Sequence, residues 1–245
     1  MEQALYHILK DSASNHWWYR GRLEILKQFA GDFLSSDGNR RLLSIGCGIG
    51  SELLMLKNYG EVFGVDPSEE VVSHHGNNGG NNRVLLGSAE KIPFPDEWFD
   101  AVFAMDVIEH TADDKIAVHE AFRALKSGGM GFFSVPAHQW LWNESDVRAH
   151  HFRRYSRKQF IELLLQTGFM TMNVTYFNTF LFLPIVLVKL ASKIWEPRQL
   201  VGAEVKTPNV FLNAVFFWIF SLERFFLRYI AFPFGISIFV IVRKK

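Results

Sequence analysis

The 245-residue chain is predicted to be an α/β protein, a doubly wound sheet of mainly parallel strands with helices on both faces. Three observations carry this reading. The run Arg41-Leu42-Leu43-Ser44-Ile45 breaks at three alternate glycines, Gly46, Gly48 and Gly50, and passes directly into a helical stretch, Ser51 to Leu56. A second apolar run, Glu61 to Val65, closes on an acid, Asp66. Further short apolar runs at 83–86, 101–105 and 130–135 then alternate with stretches of helical periodicity.

The glycine turn carries the chemistry. Glycine is needed where the backbone takes positive φ or must approach a ligand too closely for a Cβ. The free N–H groups at the start of the following helix face that ligand with a favourable dipole. Asp66, at the tip of the neighbouring strand, offers a carboxylate to both ribose hydroxyls of an adenosine-containing ligand. The unit therefore reads as a nucleoside-cofactor site. A dinucleotide fingerprint wants glycine at positions one, three and six; counted from Gly46 the glycines stand at one, three and five, and Ser51 is sixth. Cys47, the single cysteine, excludes an internal disulfide and reads as a small residue in a tight turn.

These residues resemble motif I of the class I S-adenosylmethionine-dependent methyltransferases, written D-x-G-x-G-x-G, with Ser44 where the family commonly has an acid. The resemblance implies a Rossmann-like seven-stranded sheet of order 3-2-1-4-5-7-6 with the last strand antiparallel. It also implies S-adenosylmethionine as cofactor and S-adenosylhomocysteine as product, held by Gly46, Cys47, Gly48 and Gly50 and by Asp66 with Pro67. Gly87-Ser88-Ala89-Glu90-Lys91-Ile92-Pro93-Phe94 resembles the family phrase G-D-A-E-x-L-P-F. That likeness places Ser88, Ala89 and Glu90 by the adenine, with the Ser88 hydroxyl standing in for the usual acid as the weaker acceptor. Asp106-Val107-Ile108-Glu109-His110 is a further family-like phrase, and puts Asp106 at the cofactor.

Taken in order, the chain starts without a basic run followed by an apolar stretch, so no secretory leader is expected. Residues 1–40 read as an N-terminal lid and leading helix, with Leu23, Leu26, Phe29, Ala30 and Phe33 on one face. The segment His16-Trp17-Trp18-Tyr19-Arg20-Gly21-Arg22 is either a packed extension or a lid. In the lid reading, which the resemblance supports, Arg20 or Arg22 pairs with the methionine carboxylate. Residues 41–177 form the cofactor-binding core. Within it, a helix starts at Pro67 and Ser68, the run Gly76 to Asn82 is a loop, a helix spans Asp113 to Leu125, and Lys126 to Gly129 stops that helix. The long polar stretch 137–155 is too long for a tight connector. It resembles a subgroup of bacterial type 11 methyltransferases that pair an H-x-W segment (His138, Trp140) with an H-x-R-R-Y segment (His151 to Tyr155). A helix from Ser156 to Thr167 and a strand near Met172 to Phe177 follow.

Residues 178–232 are expected to be an apolar helical hairpin, Leu181 to Ile194 and Phe211 to Ile230, joined around Pro197 and Gly202; residues 233–245 return as the final strand. Neither helix has a clean run of about 20 apolar residues. The net charge of +1 conceals an asymmetry: after Val188 there are nine Lys or Arg against three Glu, and the first 188 residues carry −5. Fourteen of the 24 Phe lie after residue 159. A basic aromatic tail on an acidic body argues for a membrane surface and against nucleic acid as partner. The expected location is cytoplasmic, peripheral at the inner face of the membrane, with a homodimer through the same surfaces as the rival.

Methyl transfer from a sulfonium needs an aligned acceptor, excluded water and, for a hydroxyl, a base. His110, His150 and His151 are the candidate bases. No metal is expected, since Asp106, His110 and His150 show no helical ligand spacing. The expected function is transfer of a methyl group to oxygen of a lipid, isoprenoid or lipid-linked glycan. The alternatives are a non-catalytic cofactor-binding partner protein and an NAD(P)-dependent oxidoreductase.

Overall fold

The computed structural model describes residues 15–34, 39–77, 83–194 and 208–245. The elements are α1 (Trp17–Phe33), β1 (Arg41–Ile45), α2 (Ser51–Leu56), β2 (Glu61–Asp66), α3 (Glu69–Asn77), β3 (Arg83–Leu86) and β4 (Phe99–Met105). A 3₁₀ turn at Ile108–His110 leads to α4 (Asp114–Ala124), β5 (Leu125–Pro136), a second 3₁₀ turn at Gln139–Leu141, and α5 (Glu144–Arg148). Then come α6 (Arg157–Thr167), β6 (Phe169–Phe177), α7 (Phe182–Ile194), α8 (Val210–Leu227) and β7 (Ser237–Lys244).

One seven-stranded sheet has the order β3-β2-β1-β4-β5-β7-β6. The pairs among β3, β2, β1, β4 and β5 are parallel, and β7 is antiparallel to both β5 and β6. This is the topology expected from the sequence. Because β1, β2 and β4 run parallel, their carboxyl ends lie side by side, which is where open α/β sheets bind ligands. Leu42, Leu43, Ile45 and Ala101 to Ala104 are buried, as strands covered on both faces must be.

Local signals set the helix ends. Asp113 caps α4 by accepting the N–H groups of Lys115 and Ile116. Ser156 and Gln159 form a capping box on α6, which ends at Gly168 in the left-handed region. Lys126 to Gly129, expected to stop a helix, instead lies inside β5. Its register jumps from Phe99 opposite Leu125 to Ala101 opposite Met130, so these residues bulge out of the ladder, with Gly128 at φ 78.

The tail departs from the expected hairpin. α8 lies along α1: Trp17 meets Phe216 edge-on and Trp18 stacks on Phe220 at 5.2 Å. A Cβ on Gly21 would stand 2.3 Å from the Phe220 ring, so glycine sets the approach of these two helices. α7 packs elsewhere, burying Val186 with Leu141 and Ile236. The join around Pro197 and Gly202 lies outside the described residues. Among the tail's cations, Arg224 pairs with Glu24, Arg228 lies 3.7 Å from Asp32, and Lys189 is buried.

Candidate active site

Gly46, Gly48 and Gly50 all have positive φ, so the turn after β1 coils tightly and aims its amides at the strand ends. Gly48 donates its N–H to Asp66 Oδ2 at 2.9 Å, and Ser68 donates to Asp66 Oδ1 at 3.0 Å. Burial pushes the Asp66 carboxyl up, and these two amides pull it back. A Cβ on Gly48 would meet nothing within 4 Å, so open space lies directly above the turn. His75, from the last turn of α3, donates from Nε2 to Gly48 O over 2.9 Å and packs under Gly50. That support was not legible in the sequence, because it depends on where α3 ends. Cys47 is buried beneath the turn, where burial and then the Asp66 charge push its thiol up; it is inert.

A charged cluster adjoins the turn. Arg22 pairs with Asp106 and donates to Met105 O at 3.3 Å; Ser134 donates to Asp106 Oδ1 at 2.8 Å. Ser44, buried at the end of β1, donates to Glu52 Oε1 at 2.8 Å. Burial raises the Glu52 carboxyl, while Arg22 and Ser44 lower it. Glu52 carries no local signal in the sequence, since its role depends on the approach of Ser44 and Arg22. Of the two arginines considered for the methionine end, Arg22 reaches the strand ends. Arg20 is exposed and lies instead over the Phe217 ring at 4.1 Å.

The third part is the polar loop 137–155. His151 and His110 meet edge-on with ring centroids 4.6 Å apart. His151 Nδ1 lies 2.8 Å from Asp146 Oδ1, which orients the ring and leaves Nε2 as an acceptor. Burial opposes ionisation of Asp146, but His151 and Arg154 win and hold it at about 2. Desolvation and then the His151 ring lower His110 to about 4, so it is neutral near pH 7. His150 is exposed, at φ 56, and turns away from this pair. Glu109 is fully buried beside the pair. The H-x-R-R-Y residues act as a staple: Arg154 bonds Asp146 and Ala137 O, while Arg153 and Tyr155 both bond Asp114. His138 stacks on Tyr176 at 5.4 Å.

The remaining expected contacts divide. Ser88 is half-buried and Ala89 buried on the loop after β3; Pro67 is exposed at the tip of β2. Glu90 is engaged, accepting the Asp113 N–H at 3.0 Å, and so holds the start of α4.

Residues 43–133 match the model of a methyltransferase domain family. A probable S-adenosylmethionine-dependent methyltransferase of Mycolicibacterium smegmatis is 27% identical over 160 residues, covering 64% of this chain and 61% of that one. A ubiquinone biosynthesis O-methyltransferase of Hydrogenovibrio crunogenus is 31% identical over 141 residues, covering 50% and 56%. A crystal structure of a methyltransferase from Bacillus halodurans superposes with a TM-score of 0.61 at 20% identity, over 90% of this chain and 98% of that one. Residues 43–133 are thus similar to a methyltransferase domain, and the first of these relatives is named as S-adenosylmethionine-dependent. The alignments span about 60% of the length of these two curated relatives.

The residues of the methyltransferase domain fit that cofactor. The open space above Gly48 adjoins a carboxylate at the tip of β2, and Arg22 with Glu52 and Asp106 gives both charge signs beside it. A free amino-acid end, with one carboxylate and one ammonium, needs that combination.

Proposed function

We propose that the protein is an S-adenosylmethionine-dependent methyltransferase acting on a hydroxyl of a lipid, isoprenoid or lipid-linked glycan presented at a membrane surface. The observation that carries the reading is the Asp66 carboxylate, held at the tip of β2 by the Gly48 and Ser68 amides next to an open glycine turn. Bound S-adenosylmethionine would supply an electrophilic methyl group on a good leaving group. Asp66 would hold the ribose, Ser88 and Ala89 the adenine edge, and Arg22, Glu52 and Asp106 the amino-acid end. His110 or His151 would take the proton of the acceptor hydroxyl, a reading supported by the pairing of their two rings. The NAD(P)-dependent reading falls with the domain match.

The lipid part rests on an apolar face. Val210, Phe211, Trp218, Leu222, Phe225 and Tyr229 on or next to α8 are exposed, as are Leu183, Leu187 and Val188 on α7. α8 is long and apolar enough to cross a bilayer core. Its packing on α1 and its Arg224–Glu24 pair favour lying in the membrane plane instead. The ubiquinone-pathway name of one relative points to the same acceptor class. A peripheral place at the inner face of the membrane follows, and a homodimer through this face is the rival occupant.

Two measurements test the reading. Incubation of a host membrane extract with enzyme and labelled methyl donor should put label in the lipid fraction; label in protein or nowhere overturns it. Flotation with anionic liposomes should carry the protein upward and survive added salt, since Arg224 and Arg228 face acids on α1. A homogeneous dimer that stays at the bottom of the gradient selects the rival.

A further inference from the structure

We propose that Glu109, His110 and His151 form a binding site for one divalent transition-metal ion. Each offers one ligand atom, and these three atoms lie within 4.8 Å of one another. Small side-chain rotations would bring all three to the bond lengths of about 2.0–2.2 Å that imidazole nitrogen and carboxylate oxygen make to zinc.

Glu109 is the decisive residue. It is 0% exposed, and neither carboxylate oxygen has a hydrogen-bond partner among the described residues. A carboxylate buried without donors is strongly disfavoured, and a cation beside it removes the penalty. The site offers one carboxylate and two imidazoles as ligands. Second, His151 is already oriented as metal-bound histidines are, with Nδ1 on the Asp146 carboxylate and Nε2 free. Asp146 is itself held by Arg154 and by the Asn143 N–H, both within 3.0 Å. The donor set is nitrogen-rich, which suits zinc, cobalt or iron better than magnesium, calcium or manganese, which prefer oxygen ligands.

Three protein ligands leave a coordination position open. Here the inference rests on the methyl-transfer reading: an acceptor hydroxyl bound at that position has a lowered pKa and gives its proton to water, its oxygen then taking the methyl carbon as the carbon–sulfur bond breaks. In the ion-loaded state the His151 lone pair is engaged by the metal and is not the proton acceptor.

The test uses the full chain, stripped with a chelator and titrated with Co²⁺ in the absence of methyl donor, so its outcome is separate from that of the methyl-transfer reading. Calorimetry should give one ion per chain, with a visible d–d band and a raised melting temperature. Asp146→Asn should weaken binding about 10- to 100-fold, and Glu109→Gln or His151→Ala by about 100-fold or more. His150→Ala, which alters an exposed side chain, should change nothing. Folded wild-type protein that takes up no Co²⁺ at equimolar concentration overturns the site. So does binding that survives His151→Ala in a folded variant. Should Glu109→Gln fail to fold, the wild-type spectrum and the His151 variant still decide.

Discussion

Ser44 donates its hydroxyl hydrogen to Glu52 across 2.8 Å, joining the end of β1 to the first turn of α2. The family motif usually has an acid where this chain has Ser44; here the carboxylate comes instead from eight residues on, and reaches the same strand end. Arg22 and Asp106 lie within its electrostatic reach. Glu52→Gln should therefore lower cofactor affinity about tenfold or more, on the order of the 1.5–3 kcal/mol that a charged hydrogen bond contributes. Calorimetry with S-adenosylhomocysteine reads this directly, and unchanged affinity would detach Glu52 from the methionine end.

Asp66→Ala should cost at least tenfold in the same measurement, by removal of a charged acceptor for two hydroxyls. It also strips the Gly48 and Ser68 amides of their acceptor, so a drop in melting temperature should accompany the affinity loss. Asp66→Asn, which keeps an acceptor oxygen, should recover part of the stability but less of the binding.

The pairing of His110 with His151 gives an expectation for turnover. Alanine at either should reduce the rate about 100- to 10,000-fold while cofactor affinity is preserved. His150→Ala should leave the rate near normal, because that ring is exposed and points away. Equal losses at all three positions would contradict the geometry.

Gly21→Ala places a methyl group inside the Phe220 ring and should destabilise the protein by about 1–3 kcal/mol in denaturant unfolding. Because Arg22 is the next residue on α1, the variant should also weaken cofactor binding if α1 shifts. Gly31→Ala, where a Cβ meets only the Tyr59 hydroxyl at 3.4 Å, is the control and should be nearly neutral.

Glu223 gives the chain a pH dependence. It is fully buried on α8, accepts the Phe180 N–H at 2.7 Å, and burial pushes it up to about 7 against that amide and those of Thr179 and Asn178. The folded state keeps the proton up to about pH 7, whereas the unfolded chain releases it near 4.5. Between these values the folded state binds more protons, so stability falls as pH rises, by about 3 kcal/mol in total. Glu223→Gln keeps an acceptor for Phe180 and should abolish that slope. Unfolding free energies at pH 5 and pH 8 should then differ less in the variant than in wild type; an identical slope would mean that Glu223 is ionised throughout.

How much was legible follows from how local each signal is. The glycine turn, Asp66 and the caps at Asp113 and Ser156 depend on a few consecutive residues whose backbone needs are steep, so they could be read directly. Arg20 and Arg22, two residues apart, point to nearly opposite sides of α1, and which side meets the strand ends is set by the phase of the helix relative to the sheet. The histidines were equally ambiguous: His150 and His151 are adjacent, and the left-handed backbone at His150 decides which of them turns inward.

By itself, then, the sequence determined the alternation of strands and helices, the strand order through its family likeness, and the place of the nucleoside site, because hydrophobic period and glycine spacing are properties of contiguous residues. Only the tertiary structure decided that α8 packs on α1 rather than on α7, and that the tail's arginines face Glu24 and Asp32. It alone brought Glu52 to Ser44, and Glu109 to His110 and His151. Those are contacts between segments distant in sequence or between neighbours whose direction depends on backbone turns, and charge or polarity along a chain does not say which partner will be in reach once the sheet has closed its core.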